Sequence, residues 1–433
     1  MIGAIRRAFR TPDLRNKLLF TMGILVIFRL GSFIPSPGID YTKVQECVAS
    51  PQLNEGGFAM INLFSGGALL QLSIFALGIM PYITASIIVQ LLRVVIPRFE
   101  ALHKEGASGQ AKLTQYTRYL TIGLAVLNST TLVATVRSGA LFGDVENCQD
   151  LIANDTWWGI AVLVLTLTAG TGLIMWLGEQ ITEHGVGNGM SLLIFTSVAS
   201  AFPSSLGAIL REQGVDIFLI VMAVGLVLVA LVVFVEQSQR RVPVQYAKRM
   251  VGRRMFGGTS TYIPIKVNMA GVIPVIFASS VLYLPSLISQ FFDPESKWVE
   301  WINTYFTRGD HPIYITVYAL LTIFFAYFYV AITFNPEEVA DNMKKYGGFI
   351  PGIRAGRPTA EYLSYVLSRI NFPGSLYLAF VALIPLIALV LINANQNFPF
   401  GGTSLLIVVG VGLETVKQID AQMQQRHYEG LLR

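Results

Sequence analysis

The stretch from residue 61 to residue 92 places a short apolar piece directly before a long one: INLFSGGALLQLSIFALGIMPYITASIIVQLL. The short piece, about 61–72, cannot cross a bilayer, because a spanning helix needs about 20 apolar residues. The long piece, about 73–92, is long enough to cross. Backbone groups at the end of a half-length piece cannot stay unbonded in lipid. We therefore predict that the short piece lies in protein or in a water-filled cavity inside a membrane.

The whole chain has the composition of a membrane protein. Of its 433 residues, 53% are hydrophobic and only 13% are charged, whereas soluble domains carry about 25% charged residues. The long apolar runs favour helices over a membrane β-barrel, whose strands would alternate over about 10 residues. The first run, 18–35, is similar to a signal peptide, but no small-residue cleavage site follows it. We therefore interpret this run as a retained span.

Ten apolar runs predict ten spans in a single all-α membrane domain, residues 1–433. Ten spans divide into two groups of five. A group with an odd number of spans reverses its direction when it is repeated, which gives an inverted-topology repeat. The count thus predicts an N-terminal half, 1–206, and a C-terminal half, 207–433. The runs lie at about 18–35, 73–92, 117–136, 157–178, 188–206, 216–235, 269–289, 313–333, 373–392 and 402–420.

Lysine and arginine are distributed unequally between the two sides of these spans. With the N-terminus inside, 25 of the 31 lysines and arginines fall on the cytoplasmic side, five fall outside and Arg29 falls within a span. Cytoplasmic loops of membrane proteins carry such an excess of basic residues. We therefore predict that both termini are cytoplasmic.

Few side chains in this sequence could carry catalysis or bind a metal. The four histidines show no ligand spacing, and we find no nucleotide-binding, zinc or catalytic-triad motif. Cys47 and Cys148 make neither a disulfide framework nor a metal site, although both fall in outer loops, where a single disulfide could form. Proton- or sodium-coupled transporters usually place carboxylates or histidines near the membrane midplane, and none lies there. Arg29 is interpreted as a structural residue held by carbonyl groups or by a neighbouring span.

Aliphatic side chains recur at every fourth position on two spans. Ile79, Ile83 and Ile87 lie on the second span, and Met190 and Ile194 lie on the fifth. This spacing places each set on one helix face. On spacing alone, ordinary packing or lipid contact explains both sets. Part of the second span also faces protein or water, because it carries polar side chains. These are Thr84, Ser86 and Gln90.

Two cytoplasmic loops, about 236–268 and 335–372, hold twelve of the inside basic residues. Their charge alone is explained by the orientation rule and by contact with anionic lipid headgroups. Neither the orientation rule nor lipid contact explains the length of these loops, since most connections have only a handful of residues. Long basic loops, with residues 348–354 at a tip, favour docking to an acidic partner or to RNA.

Several long segments follow one another in a fixed order from Asn16 nearly to the C-terminus. They are FRLGSFIPSPGID (28–40), NLFSGGALLQLSIFALGIMPYITASIIVQLL (62–92), KEGASGQAKLTQYTRYLT (104–121), MWLGEQITEHGVGNGMSLLIF (175–195), QRRVPVQYAKR (239–249), KVNMAGVIPVIFASS (266–280), FNPEEVADNMKKYGGFIPGIRAG (334–356) and FGGTSLLIVVGVGLE (400–414). In their length and order these segments closely resemble the SecY family of channel-forming protein translocase subunits.

The resemblance implies two five-span halves around an hourglass-shaped pore. It also implies that the short piece 61–72 is a re-entrant plug helix, with Asn62, Leu63, Phe64, Ser65, Gly66, Gly67, Ala68 and Leu69 as plug residues. A ring of apolar side chains is implied at the pore constriction: Ile79, Ile83, Met190, Ile194, Ile276 and Ile407. The family often has isoleucine where this chain has Met190, and methionine is longer and more flexible.

A lateral gate is implied where spans 2 and 3 part from spans 7 and 8. The gate candidates are Thr84, Ser86, Ile87, Gln90, Ser279 and Ser280, and ordinary packing between helices is the alternative for each. Pro81, Pro274 and Pro285 lie in two of these spans. Proline removes a helix hydrogen bond, so we expect these three to loosen the gate.

The two cytoplasmic loops are implied to dock a motor or the ribosome through basic residues: Arg240, Arg241, Lys248, Arg249, Arg253, Arg254, Arg354 and Arg357. The implied partners are the small membrane subunits SecE and SecG, the SecA motor ATPase, the ribosome, signal peptides and unfolded preproteins, with anionic lipids around them. The chain itself is expected to be no enzyme and to hold no cofactor, because it has no phosphate-cradling loop. ATP hydrolysis is expected from the partner motor.

The resemblance thus implies a passive, gated protein-conducting channel in the bacterial cytoplasmic membrane. Such a channel passes unfolded secretory proteins and releases membrane segments sideways into lipid. A polytopic solute transporter working by alternating access is the alternative, and the empty span centres and long loops count against it. A membrane insertase without a through-pore is a third hypothesis, against which the plug-like piece counts.

Overall fold

The computed structural model describes residues 11–48, 65–137, 151–152, 156–212, 214–246, 249–251, 254–256, 260–289, 296–307, 311–392 and 402–431. These residues form fourteen α-helices and five short β-strands. The helices are α1 Pro12–Gly31, α2 Tyr41–Val48, α3 Met80–Val95, α4 Pro97–Lys104, α5 Ala107–Arg137, α6 Trp157–His184, α7 Gly189–Glu212, α8 Gly214–Gln237, α9 Ile273–Ser289, α10 Lys297–Ile302, α11 Pro312–Thr333, α12 Pro336–Lys345, α13 Arg357–Ile392 and α14 Gly402–Leu431. The strands are β1 Gln239–Tyr246, β2 Arg249–Val251, β3 Arg254–Phe256, β4 Ser260–Lys266 and β5 Gly348–Phe349.

A helix occupies each of the ten apolar runs: α1, α3, α5, α6, α7, α8, α9, α11, α13 and α14. Among the described residues, five helical stretches are long and apolar enough to cross a membrane, or six if α3 and α4 count as one bent span. These two helices meet at 97°, because Ile96 is extended before Pro97, as a residue before proline prefers. The helical membrane fold is confirmed, whereas the number of ten spans stays a prediction.

The helix of the second span was predicted to begin at about residue 73, but it begins at Met80. Ser65 is helical, residues 66–72 and 74–79 are turns, and Ser73 pairs with Pro35 in an isolated bridge. Residues 62–64 of the predicted plug lie outside the described residues, so its helical character stays a prediction. Gly66, Gly67 and Gly78 have φ of +67°, +89° and +56°. Glycine takes such left-handed angles at no steric cost, so the glycines of this apolar segment interrupt the helix.

Two of the three gate prolines begin a helix instead of interrupting one. Pro81 and Pro274 are each the second residue of their helix, in α3 and α9. Proline suits this place, since its missing N–H would have no partner there anyway. Only Pro285 of the three lies inside a helix. The expectation that Pro81 and Pro274 loosen their spans is therefore wrong.

The two long loops that are predicted to be cytoplasmic come together in one small sheet, called here the cytoplasmic sheet, with strand order β4-β1-β5. Strand β1 pairs antiparallel with β4, from Gln239 opposite Lys266 to Gln245 opposite Ser260. The second loop adds β5 to the other edge of β1. Because alternate residues of a strand face opposite sides, Val242 and Val244 are both buried. They pack in one core with Ile265, Met343, Ile350, Leu363 and Val366. The remaining strands, β2 and β3, form a separate hairpin.

The predicted division into two halves at 206/207 falls inside α7, which continues to Glu212. Helix α7 packs against α6 of the first half and against α8 and α14 of the second. The last helix of the first group of five therefore contacts both groups. The interpretation of these groups as inverted repeats stays a prediction.

Candidate functional site

Six apolar side chains from different parts of the chain meet in one cluster. They are Ile79, Ile83, Met190, Ile194, Ile276 and Ile407, all six members of the predicted ring. Ile79 and Ile407 are each 1% exposed, and Ile276 and Ile194 are nearly as buried. Ile83 and Met190 are partly buried against the same cluster. The structure thus brings together four helices, α3, α7, α9 and α14, around one apolar point.

Local geometry explains how Met190 enters this cluster. Gly178 of α6 lies directly against the Met190 side chain, and a Cβ at residue 178 would overlap the Met190 sulfur atom. A glycine is therefore needed on α6 to admit the long methionine side chain. The residue in which this chain departs from the family pattern thus has a fitted space of its own.

The glycine-rich segment lies against the same cluster. Ala68 is completely buried in it. The neighbouring Leu69 is also buried, but it belongs to a second apolar cluster with Leu72 and Ala76. The Ser65 hydroxyl caps the turn by accepting a hydrogen bond from the Leu69 N–H at 3.1 Å. The described part of the predicted plug, 65–69, is therefore packed and not loose.

Two backbone hydrogen bonds tie this segment to the chain that follows α1. The Ser36 N–H donates to the Leu72 carbonyl at 3.1 Å, and the Ile74 N–H donates to the Ile34 carbonyl at 3.0 Å. A third bond comes from a side chain, since Arg29 Nη1 donates to the Gly66 carbonyl at 2.6 Å. The Arg29 guanidinium also lies 4.6 Å from the centre of the Phe33 ring.

The predicted gate residues lie in three kinds of surroundings. The hydroxyl groups of Thr84, Ser279 and Ser280 donate to backbone carbonyls of their own helices, those of Met80 and Ile276. Ile87 is buried. Ser86 and Gln90 instead line a cavity of about 370 Å³. The gate role of all six stays a prediction.

This cavity lies between α3, α4, α5 and α11, on the side of α3 that faces spans 3 and 8. Its other lining residues are Tyr82, Val89, Arg93, His103, Gln110, Leu113, Thr114, Thr117, Tyr329, Ile332 and Thr333. Arg93 Nη1 lies 3.2 Å from Nδ1 of His103. Our prediction missed Arg93, His103 and Tyr329, because no sequence spacing connects three different helices. The cavity therefore brings polar side chains of four helices to one place.

The basic residues predicted for docking lie on the cytoplasmic sheet and after it. Arg240, Arg241, Arg354 and Arg357 are exposed, and the Arg241 guanidinium lies 4.8 Å from the Tyr262 ring centre. Arg249 and Arg254 lie in the hairpin β2–β3, at positions opposite Phe256 and Val251. Lys248 and Arg253 lie outside the described residues. The sheet thus gathers exposed cations from both loops.

The segments next to the predicted plug carry a disulfide and a short capped helix. Cys47 is disulfide-bonded, and Cys148, which lies outside the described residues, is the other cysteine of the sequence. Before α2, the Asp40 carboxylate accepts hydrogen bonds from the Thr42 hydroxyl and N–H, which lower the pKa of the Asp40 carboxyl. Within the described residues, we find no group of three His, Cys, Asp or Glu that could hold a metal ion.

Solved structures with the same fold are membrane channels. A structure described as "The structure of a protein conducting channel" matches with a TM-score of 0.63 over 94% of this chain and 92% of that chain, at 16% identity. One on the plug domain of the SecY protein matches with a TM-score of 0.63, at 19% identity and the same coverage. Sec61 in a canine ribosome-channel complex has a TM-score of 0.60. This chain therefore shares the multi-pass helical fold of these channel structures.

Sequence comparison gives the particular family. The SecY family model matches residues 73–416. The protein translocase subunit SecY of Streptomyces scabiei is 65% identical over the full length of both chains. The subunits of Micrococcus luteus and Mycobacterium tuberculosis are 58% and 55% identical, also over both full lengths. The chain belongs to the SecY family.

Proposed function

We propose that this chain is the pore-forming subunit of a protein-conducting channel. The observation that carries the proposal is the meeting of Ile79, Ile83, Met190, Ile194, Ile276 and Ile407 in one apolar cluster, with Ala68 of the glycine-rich segment 65–72 packed into it. Relatives named protein translocase subunit SecY and structures of protein-conducting channels support it. The family match does not support the alternative of a solute transporter.

The apolar cluster acts as a seal. Aliphatic side chains offer no polar atom to replace the hydration shell of an ion, so an ion or proton meets a dewetted barrier. An unfolded polypeptide can still pass, because flexible aliphatic side chains move apart and hold no segment tightly. A ring of polar groups would bind polar segments and stall them. The absence of carboxylates from the span centres thus suits a conductor of proteins.

The channel opens in two directions. Movement of the plug, whose described part is 65–72, away from the cluster clears the way across the membrane. Separation of α3 and α5 from α9 and α11 opens a side exit into lipid, beside the polar cavity lined by Ser86 and Gln90. An apolar segment of a translocating chain leaves through this exit, because lipid accepts apolar surface and the aqueous path does not.

The exposed cations of the cytoplasmic sheet supply the docking surface for partners. A motor ATPase, SecA, and the ribosome are the proposed partners on this side, and the structure of a ribosome-channel complex containing Sec61 supports the ribosome. The small subunits SecE and SecG are proposed within the membrane, and signal peptides and unfolded preproteins as its cargo. The proposed location is the bacterial cytoplasmic membrane, rich in anionic lipids, with both termini inside.

A deletion tests the proposal. The complex without residues 65–70 is reconstituted in a planar bilayer, and its ion conductance is measured. We expect a raised resting conductance, because the apolar cluster loses the segment that covers it. Export of a preprotein into vesicles, measured on the same preparation, shows that the shortened channel is assembled and functional. Unchanged conductance in an export-competent complex would contradict the assignment of this segment as the plug.

A further inference from the structure

Arg29 is the only lysine or arginine predicted to lie within a span, and its guanidinium contacts the segment that closes the cluster. It lies in the last turn of α1, two residues before that helix ends at Gly31. Its Nη1 atom donates to the backbone carbonyl of Gly66 at 2.6 Å. It is only partly buried, with its guanidinium over the face of Phe33.

A charged side chain within a membrane span, such as that of Arg29, needs a polar partner. Ionisable groups within membrane spans are costly and pair with one another or with backbone carbonyls. The C-terminal end of α1 favours a cation, because the helix dipole places negative charge there. The carbonyl of a mobile segment adds a partner that exists only while that segment is in place. The contact therefore stabilises one position of the segment over others.

Gly66 has the backbone conformation that this contact requires. Its φ of +67° is left-handed, and a Cβ built on it would lie 3.1 Å from the Ser197 Cα atom and 3.3 Å from Arg29 Nη1. A side chain at residue 66 would thus meet both α7 and the guanidinium. The glycine lets the backbone approach closely enough to present its carbonyl to Arg29.

We propose that Arg29 is a latch that holds the glycine-rich segment over the apolar cluster in the closed channel. This inference rests on the proposed function, because it assigns a gating role to a residue outside the ring. Arg29 acts as a positioning residue, since it touches the segment and not the translocating chain. Release of the Gly66 carbonyl during opening leaves the guanidinium to water in the outer part of the pore.

The position of the segment can be measured with a single introduced thiol. Ser65 is 1% exposed, so a Ser65→Cys variant reports whether the segment leaves its place. The chain offers a clean background, because Cys47 is disulfide-bonded. The complex is placed in lipid nanodiscs, where a membrane-impermeant maleimide reaches both faces, and the rate of thiol labelling is measured with Arg29, Arg29→Met or Arg29→Lys.

The expected result is faster labelling by about tenfold or more in Arg29→Met, the size of a lost hydrogen bond to a charged group. Arg29→Lys keeps the charge and restores most of the protection. Arg211→Met is the matched control, because it removes an exposed arginine near the end of α7, and it leaves labelling unchanged. Ser129→Cys, at a fully buried position of α5, stays protected in all variants.

Two results would overturn the latch. One is equal labelling of Ser65→Cys with Arg29 and with Arg29→Met. The other is faster labelling of Ser129→Cys together with Ser65→Cys, which would show general loosening of the protein. Faster labelling of Ser65→Cys alone, without a rise in ion conductance, supports the contact but overturns the sealing role of the segment and thus the proposed function.

Discussion

Arg118 of α5 donates two parallel hydrogen bonds to the Glu179 carboxylate of α6. Arg118 Nε donates to Oε1 and Nη2 donates to Oε2, each at 2.8 Å. The Arg118 side chain is 40% exposed and that of Glu179 is 16% exposed. Such bidentate pairs fix geometry as well as adding energy. The pair therefore braces the third and fourth spans against each other at one end.

Breaking this pair on one side is expected to destabilise the protein. Glu179→Gln leaves the Arg118 guanidinium without its carboxylate, at a cost of about 1–2 kcal/mol, reduced because Arg118 is partly solvated. Arg118→Met and the double variant complete a mutant cycle. Thermal unfolding of the purified proteins in detergent then measures the coupling energy between Arg118 and Glu179. Glu361→Gln is the control, since its pair with Arg357 has side chains 67% and 90% exposed. A coupling energy between Arg118 and Glu179 no larger than that between Arg357 and Glu361 would contradict the role of the Arg118–Glu179 pair in holding the two spans together.

Gly170 on α6 is expected to tolerate no side chain. A Cβ at Gly170 would overlap the carbonyl of Ile74, in the turns before α3. Gly170→Ala should therefore displace these turns and cost about 1–3 kcal/mol, with raised ion conductance of the reconstituted channel. Gly172→Ala is the control two residues away, where a Cβ meets only Ile122 Cδ1 at 3.6 Å. Equal melting temperatures of the two variants would show that the turns yield freely.

Ile407→Asn is expected to loosen the seal. Ile407 is 1% exposed in the apolar cluster, and a buried amide without a partner costs about 1–3 kcal/mol. The closed state loses this energy, so a preprotein with a defective signal sequence should be exported more readily. Ile407→Leu, which keeps the volume and the apolar surface, should behave as the unchanged protein. The assignment of Ile407 to the ring fails if the asparagine variant gives no gain in export.

Arg354→Glu is expected to reduce motor-driven export by tenfold or more while the complex still assembles. Arg354 is exposed close after β5, on the side predicted to be cytoplasmic, and a reversed charge repels an acidic partner. Export into inverted membrane vesicles is the measurement. Lys297→Glu reverses an exposed charge at α10, in a predicted outer loop, and should leave export unchanged. Normal export by Arg354→Glu would remove this residue from the docking surface.

The two cysteines are expected to be unreactive in the unreduced protein. Since Cys47 is disulfide-bonded and the sequence has one other cysteine, Cys148, thiol titration after denaturation should find no free thiol. After reduction it should find two. Detection of two free thiols without reduction would contradict the disulfide. Cys47→Ser should leave Cys148 as a single titratable thiol.

The sequence predicted the helical parts of this fold well, for a physical reason. A span in lipid must be apolar along its whole length, so all ten apolar runs contain helices. Hydropathy could not locate the start of α3, because the turns at 73–79, SIFALGI, are as apolar as a helix. The difference lies in backbone angles such as φ of +56° at Gly78, which no count of apolar residues reveals.

Contacts between distant segments were the part that could not be predicted. The pairing of Glu179 with Arg118 depends on how α5 and α6 are rotated about their axes, which no local pattern in the sequence reveals. Strand β5 has two residues, and its partner Gln245 is about a hundred positions earlier. The six residues of the cluster were found by resemblance, because spacing alone linked only residues on the same helix.

The cytoplasmic sheet has a mechanical consequence. Strand β1 follows α8 directly, β4 leads into α9, and β5 lies between α12 and α13. At the base of the sheet, Asn268 Nδ2 donates to Glu236 Oε1 at 2.6 Å, which joins the end of α8 to the approach to α9. A force applied to this sheet is therefore transmitted to several membrane helices at once. If the proposed motor docks on this sheet, its movement tilts one wall of the proposed pore without reaching into the membrane.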